Sequence, residues 1–83
     1  MKKFEFTTNN GNEGYYRIVP AFMSDGVRVF GFGWLPFRYA HEEFVAFNEK
    51  IFATEEEAEA AITKTLNMWM KVNLVSGYTV TNI

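Results

Sequence analysis

Apolar and polar positions alternate with a period of two through the first half of the chain, then recur at spacings of three and four along one later segment. In KFEFT, residues 3–7, Phe4 and Phe6 stand against Lys3, Glu5 and Thr7, the pattern of a half-buried strand. TNNGNEG follows, with two glycines and three asparagines, and reads as a loop or a wide hairpin turn. YYRIVPAFM, residues 15–23, is a second strand, and Pro20, which lacks an N–H, belongs at an edge or a bulge. Asp25-Gly26 supplies the backbone freedom of a tight turn, so SDG closes a second hairpin. In the third strand, VRVFGFGWL (residues 27–35), Phe30, Phe32 and Trp34 share one face, while Val27, Val29, Gly31, Gly33 and Leu35 share the other. Pro36 ends or bends it. FRYAHEE reads as irregular, and FVAFNEKIF as a further strand or a short hairpin around Asn48-Glu49-Lys50.

TEEEAEAAITKTLNMWMKV, residues 54–72, is a helix. Thr54 and Glu57 have the T-x-x-E spacing of a capping box. Glu55, Glu56 and Glu57 lie at the positive end of the helix dipole, with Lys64 and Lys71 toward its negative end. Ala58, Ala61, Ile62, Leu66 and Trp69 form one apolar stripe. Gly77 is a candidate stop, and YTVTNI a closing strand. The sequence thus predicts an α+β fold: an antiparallel sheet of four to five strands with one long helix on one face, forming a single domain over residues 1–83. The helix is expected to cover the face of Gly31 and Gly33, where missing side chains allow close approach.

Composition sharpens this picture. Of 83 residues, 48% are hydrophobic and 18% aromatic, too apolar for a disordered chain. Without cysteine there is no disulfide, thiolate nucleophile or thiolate metal ligand. No run reaches the roughly 18 apolar residues of a membrane span, and MKKFEF meets Glu5 too early to be a signal peptide; a soluble, cytoplasmic protein is expected. The net charge of -2 lacks the basic excess of a duplex-binding domain. Fifteen aromatic residues (nine Phe, four Tyr, two Trp) exceed what one helix can cover. An aromatic sheet face should therefore remain for a partner.

GFGWLPF, residues 31–37, resembles the aromatic signature of RNA-recognition motifs and the K-G-F-G-F-I run of cold-shock domains. That resemblance implies base stacking by Phe32, Trp34 and Phe37. Phe30, however, stands where those families carry a basic residue, and Pro36 interrupts the strand. Packing or protein contact is the preferred reading. A phosphate loop is not expected, since no G-K-[ST] leads into a helix. IFATEEEAEAAI is similar to the strand-to-helix entry of small strand-rich domains such as the arm-binding domains of tyrosine recombinases, which implies fold alone, and those domains are basic.

His41, with Glu42 and Glu43, is the single histidine locus and reads as a polar turn; it supplies too few ligands for a metal. Ser24 and Ser76 lie beside turn glycines, away from any base. Glu55, Glu56, Glu57 and Glu59 read as capping plus a solvated helix face, and Met68 and Met70 as core filling or a partner contact. No catalytic constellation, metal site or cofactor is expected. The sequence therefore points to a protein-binding domain that acts through Phe30, Phe32, Trp34, Phe37 and Tyr16. Its partner is expected to be a protein or a second copy of itself rather than nucleic acid, with no membrane. Compact, cysteine-free, aromatic-rich chains of this kind resemble the small accessory proteins with which bacteriophages block a host enzyme or defence complex. The alternative is a single-stranded nucleic-acid binder using the same aromatic face.

Overall fold

The computed structural model describes residues 2–21, 25–33, 39–45, 47 and 51–82. Five strands, β1 (Lys2–Thr8), β2 (Glu13–Pro20), β3 (Val27–Gly33), β4 (Tyr39–Phe44) and β5 (Val75–Asn82), form one antiparallel sheet in the order β4-β3-β2-β1-β5, and helix α1 (Glu55–Lys71) packs on one face. The first four strands are a meander. The helix then returns the chain to the far edge, where β5 pairs with β1. At about 1.5 Å per residue its 17 residues reach roughly 25 Å, enough to cross five strands about 4.8 Å apart.

The turn between β1 and β2 follows from its residues. Gly11 takes φ 84°, and its N–H donates to the Thr8 carbonyl at 3.0 Å. Asn12 N–H donates to Thr8 Oγ1 at 3.0 Å, which satisfies that buried hydroxyl. Thr8 N–H donates to the Asn12 carbonyl at 2.7 Å, closing the three-residue loop Asn9-Asn10-Gly11 and fixing the register Thr7 opposite Glu13 and hence Phe6 opposite Gly14. The β2–β3 connection is longer than a tight turn, since Ala21 N–H reaches the Gly26 carbonyl at 2.9 Å. A side chain at Gly26 would collide with the Phe52 carbonyl oxygen, 2.5 Å from an ideal Cβ. Pro20 is the last residue of β2, a position where a missing donor costs least.

Residues 39–43, expected to be irregular or a turn, instead form β4 together with Phe44, and among the described residues FVAFNEKIF does not continue as a strand beyond Phe44. Phe44 ends β4, and Phe52 makes an isolated antiparallel bridge to Val27. β4 was hidden by its polar residues: an edge strand needs no apolar alternation, and charges there discourage further pairing. The proposed hairpin at Asn48-Glu49-Lys50 lies outside the described residues.

The core lies between helix and sheet and holds Phe4, Phe6, Tyr16, Ile18, Val29, Val45, Phe52, Ala58, Ile62, Leu66 and Val75. The helix covers the face of Val29, Gly31 and Gly33, as alternation requires. The glycines, however, make room for neighbouring side chains. An ideal Cβ at Gly31 would stand 2.8 Å from Val45 Cγ2 and 2.9 Å from the Tyr16 ring, and one at Gly14 would stand 2.5 Å from Phe6 Cζ. Trp69 is only partly buried against this core, so the helix is anchored by Ala58, Ile62 and Leu66.

Both helix ends are capped. Thr54 Oγ1 accepts from Glu57 N–H at 3.2 Å, while the Glu57 carboxylate accepts from Ala53 N–H at 3.3 Å, one residue before the usual capping-box donor. Asn73, not Gly77, ends the helix. It takes φ 61°, its N–H donates to Met70 O at 3.1 Å, and Leu74 N–H donates to Trp69 O at 2.8 Å, a Schellman motif. Gly77 lies within β5, which begins at Val75 rather than Tyr78. Thr54→Ala should cost about 1 kcal/mol, or roughly 4–8 °C of thermal midpoint for a domain this size. An unchanged melting curve would show that the Thr54 hydroxyl does not support the helix start.

Candidate functional site

The sheet face away from the helix is covered by no element among the described residues. Its composition follows from register. One cross-strand row runs Thr81, Lys3, Arg17, Phe30, Phe44; the next runs Thr79, Glu5, Tyr15, Phe32. Val19 and Arg28 form a third pair. Phe30 and Phe32 are partly buried, and Phe44 is 40% exposed. Their rings pack on one another. Tyr15 stacks on Phe32 at 5.6 Å between centroids, and Phe30 meets Phe44 edge-on at 5.9 Å.

Three cations lie among these rings: Lys3 Nζ is 4.3 Å from the Tyr15 ring centroid, Arg17 lies 5.4 Å from that of Phe30, and Arg28 6.0 Å from that of Phe44. Lys3 and Arg17 stand directly opposite each other, an arrangement of like charges that disfavours the pairing. Glu42 offsets part of this. Its carboxylate accepts from Arg17 Nε at 2.8 Å, from Arg17 Nη2, and from the Tyr15 hydroxyl at 2.5 Å. The hydrogen bonds from Arg17 hold the Glu42 carboxyl below its usual 4.5, and the bond to Glu42 raises the Tyr15 phenol above 10.0. Lys3 and Arg28 have no salt bridge among the described residues.

A carboxyl whose pKa is lowered by folding stabilises the fold above its unfolded-state pKa and loses that contribution as pH falls through the folded one. The stability difference between the parent and Glu42→Gln should therefore be constant at neutral pH and shrink below 4.5. The raised Tyr15 acts oppositely and adds a loss as pH climbs past 10.0. Thermal midpoints of both proteins across pH measure this. A difference that stayed constant through acid would mean that the Glu42 carboxylate is no better stabilised in the folded chain than in the unfolded one.

Phe30 and Phe32 thus occupy the open face. Trp34 and Phe37 lie outside the described residues. Tyr16 does not join them: it is 2% exposed, opposite Gly31 on the helix-covered face, and packs against Phe6 and Phe47. The tyrosine on the open face is Tyr15. Sequence reasoning also missed Lys3, Arg17, Arg28 and Phe44, which only strand register brings to this surface.

The other loci resolve as scaffold. His41 and Glu43 lie on β4 with side chains 79% and 47% exposed, 3.6 Å apart, in a strand rather than the expected turn. Glu57 caps the helix, and Glu59 pairs with Lys2 at 2.5 Å. Met68 is exposed and Met70 packs against the core. Among the described residues no group of three or more His, Cys, Asp or Glu side chains is placed to hold a metal ion, and no helix is long and apolar enough to cross a membrane. A shallow hollow of about 500 Å³ opens between Glu5, Thr7, Glu13 and Thr79 at the rim of the open face. No protein-family model, curated protein or solved structure matches the chain.

Proposed function

We propose that this chain is a cytoplasmic, non-catalytic protein-binding domain whose contact surface is the open face of the sheet, centred on Phe30, Phe32, Tyr15 and Arg17. One observation carries the reading: aromatic and cationic side chains interleave on a sheet face that nothing described covers. Tyrosine, phenylalanine and arginine are the residues enriched in protein interfaces, and such contacts are strongest near the centre of a patch. Lys3 and Arg28, which have no salt bridge among the described residues, favour a partner that presents carboxylates at those two points, since Arg17 is already paired with Glu42. An inhibitor-type action requires only that such a face occlude a partner's working surface.

The same rings could serve single-stranded nucleic acid, since aromatics with cations on a sheet are the elements of a stacking platform. Against this, the rings are already engaged: Lys3 lies over Tyr15, Arg17 over Phe30, and Tyr15 on Phe32. A base would have to displace those contacts.

The test uses a photo-crosslinking residue at Phe32 and, as control, at exposed Lys64 on the helix. A protein captured only through position 32, whose measured affinity falls at least about tenfold on Arg17→Ala, equivalent to 1.4 kcal/mol, supports the reading. Equal capture through position 64 overturns it. So does submicromolar binding of a labelled single strand at about 150 mM salt that is lost in Phe32→Ala, which would establish the nucleic-acid function instead.

A further inference from the structure

The two edges of the sheet are unlike. β4 carries His41, Glu42 and Glu43, and its register against β3 is irregular. Both features discourage another strand from pairing there. β5, at the other edge, reads VSGYTVTN: eight residues with no charge and no proline. Its inner side pairs with β1 from Val75 to Asn82, with one irregularity between Thr7 and Thr8, and its outer side has no partner strand among the described residues. Val80, on this strand, is a large apolar residue left 49% exposed.

We infer that β5 pairs antiparallel with β5 of a second copy of this chain, joining two sheets into one of ten strands. The strand fits itself. A two-fold axis normal to the sheet keeps each face on its own side, so residues of equal parity must meet, and this parity also sets outward N–H groups against outward carbonyls. With the axis at Thr79, that residue meets its own copy, Tyr78 meets Val80, Gly77 meets Thr81, and Ser76 meets Asn82. Tyr78, already packed against the core, then covers the exposed Val80, an aromatic–β-branched pair of the kind that stabilises sheets. Thr79 on Thr79 adds a hydroxyl pair, and no charge opposes a like charge. Because the interface is isologous it closes at two copies, and the defended β4 edge prevents growth into a fibre. The open aromatic faces of both copies lie on one side of the extended sheet. This inference does not rest on the proposed protein-binding function.

One strand edge buries less than the roughly 1,200 Å² of a standard interface, so the dimer is expected to be reversible at micromolar concentrations. Sedimentation equilibrium from about 10 to 500 µM should show the parent passing from one chain to two, while Thr79→Lys, which sets two ammonium groups at the axis, stays monomeric with an unchanged circular dichroism spectrum. Phe30→Asp should still dimerise, which separates this contact from any self-association through the aromatic face. If Thr79→Lys fails to fold, Thr79→Cys decides: the chain has no other cysteine, so mild oxidation should give a disulfide-linked pair, whereas Lys64→Cys should not. A parent monomeric throughout, a dimer that survives Thr79→Lys, or equal cross-linking through positions 79 and 64 overturns the inference.

Discussion

Leu66→Ala is expected to bring the domain close to unfolding at room temperature. Leu66 is fully buried, on the inner line of the helix with Ala58 and Ile62. Truncating such a residue removes its transfer energy and leaves a cavity, together about 2–5 kcal/mol. An 83-residue chain without disulfides sits toward the low end of the usual 5–15 kcal/mol of stability, so the loss is a large part of the whole. The thermal midpoint should fall by roughly 10–30 °C. Trp69→Ala, despite its larger side chain, should cost less because Trp69 is only partly buried and stands where the helix is already closed by the Asn73 turn. Differential scanning fluorimetry of the two variants decides between them. A greater loss from Trp69→Ala would place the helix's main anchor at its end rather than along Ala58, Ile62 and Leu66.

This ranking shows where sequence reasoning stops. The helix, its capping threonine and the three hairpin-forming strands were legible, because each rests on local chemistry: period, cap and turn. Tyr16 was not. Tyr15 and Tyr16 are adjacent aromatics, and nothing local says which faces the helix. The answer lies in register, which the TNNG loop in principle sets. A three-residue loop with Gly11 at positive φ places Thr7 opposite Glu13 on the open face, then Phe6 opposite Gly14 and Phe4 opposite Tyr16 on the core side. Large rings lying across glycines, Phe6 on Gly14 and Tyr16 on Gly31, are a second signal of the same register. β4 escaped for another reason: an edge strand rich in His and Glu has no buried face to impose alternation. The cations of the open face likewise emerge only when Lys3, Arg17 and Arg28, far apart in sequence, are brought together by pairing, with the carboxylates of Glu5 and Glu42 among them.

The two faces of the sheet can be told apart by one substitution moved a single position. Val29→Asp should abolish folding, while Phe30→Asp should leave a folded domain. Val29 is 0% exposed beneath the helix and surrounded by Ile18, Ile62 and the rest of the core. A carboxylate there loses its water and gains no cation, a penalty of several kcal/mol even after the group protonates, comparable with the domain's entire stability. Phe30 is the next residue, so its side chain leaves from the opposite face. It is partly exposed, and the Arg17 guanidinium already lies 5.4 Å from its ring. An aspartate at that position finds water and a nearby arginine, and loses mainly the ring's edge contact with Phe44 and its cation–π contact, each about 0.5–1.5 kcal/mol. Circular dichroism and the dispersion of amide proton resonances should show Val29→Asp unfolded and Phe30→Asp native-like, with a midpoint lowered by roughly 5–15 °C. Unfolding of both variants would mean that the face bearing Phe30 is as closed as the core, and the proposed binding surface would not exist.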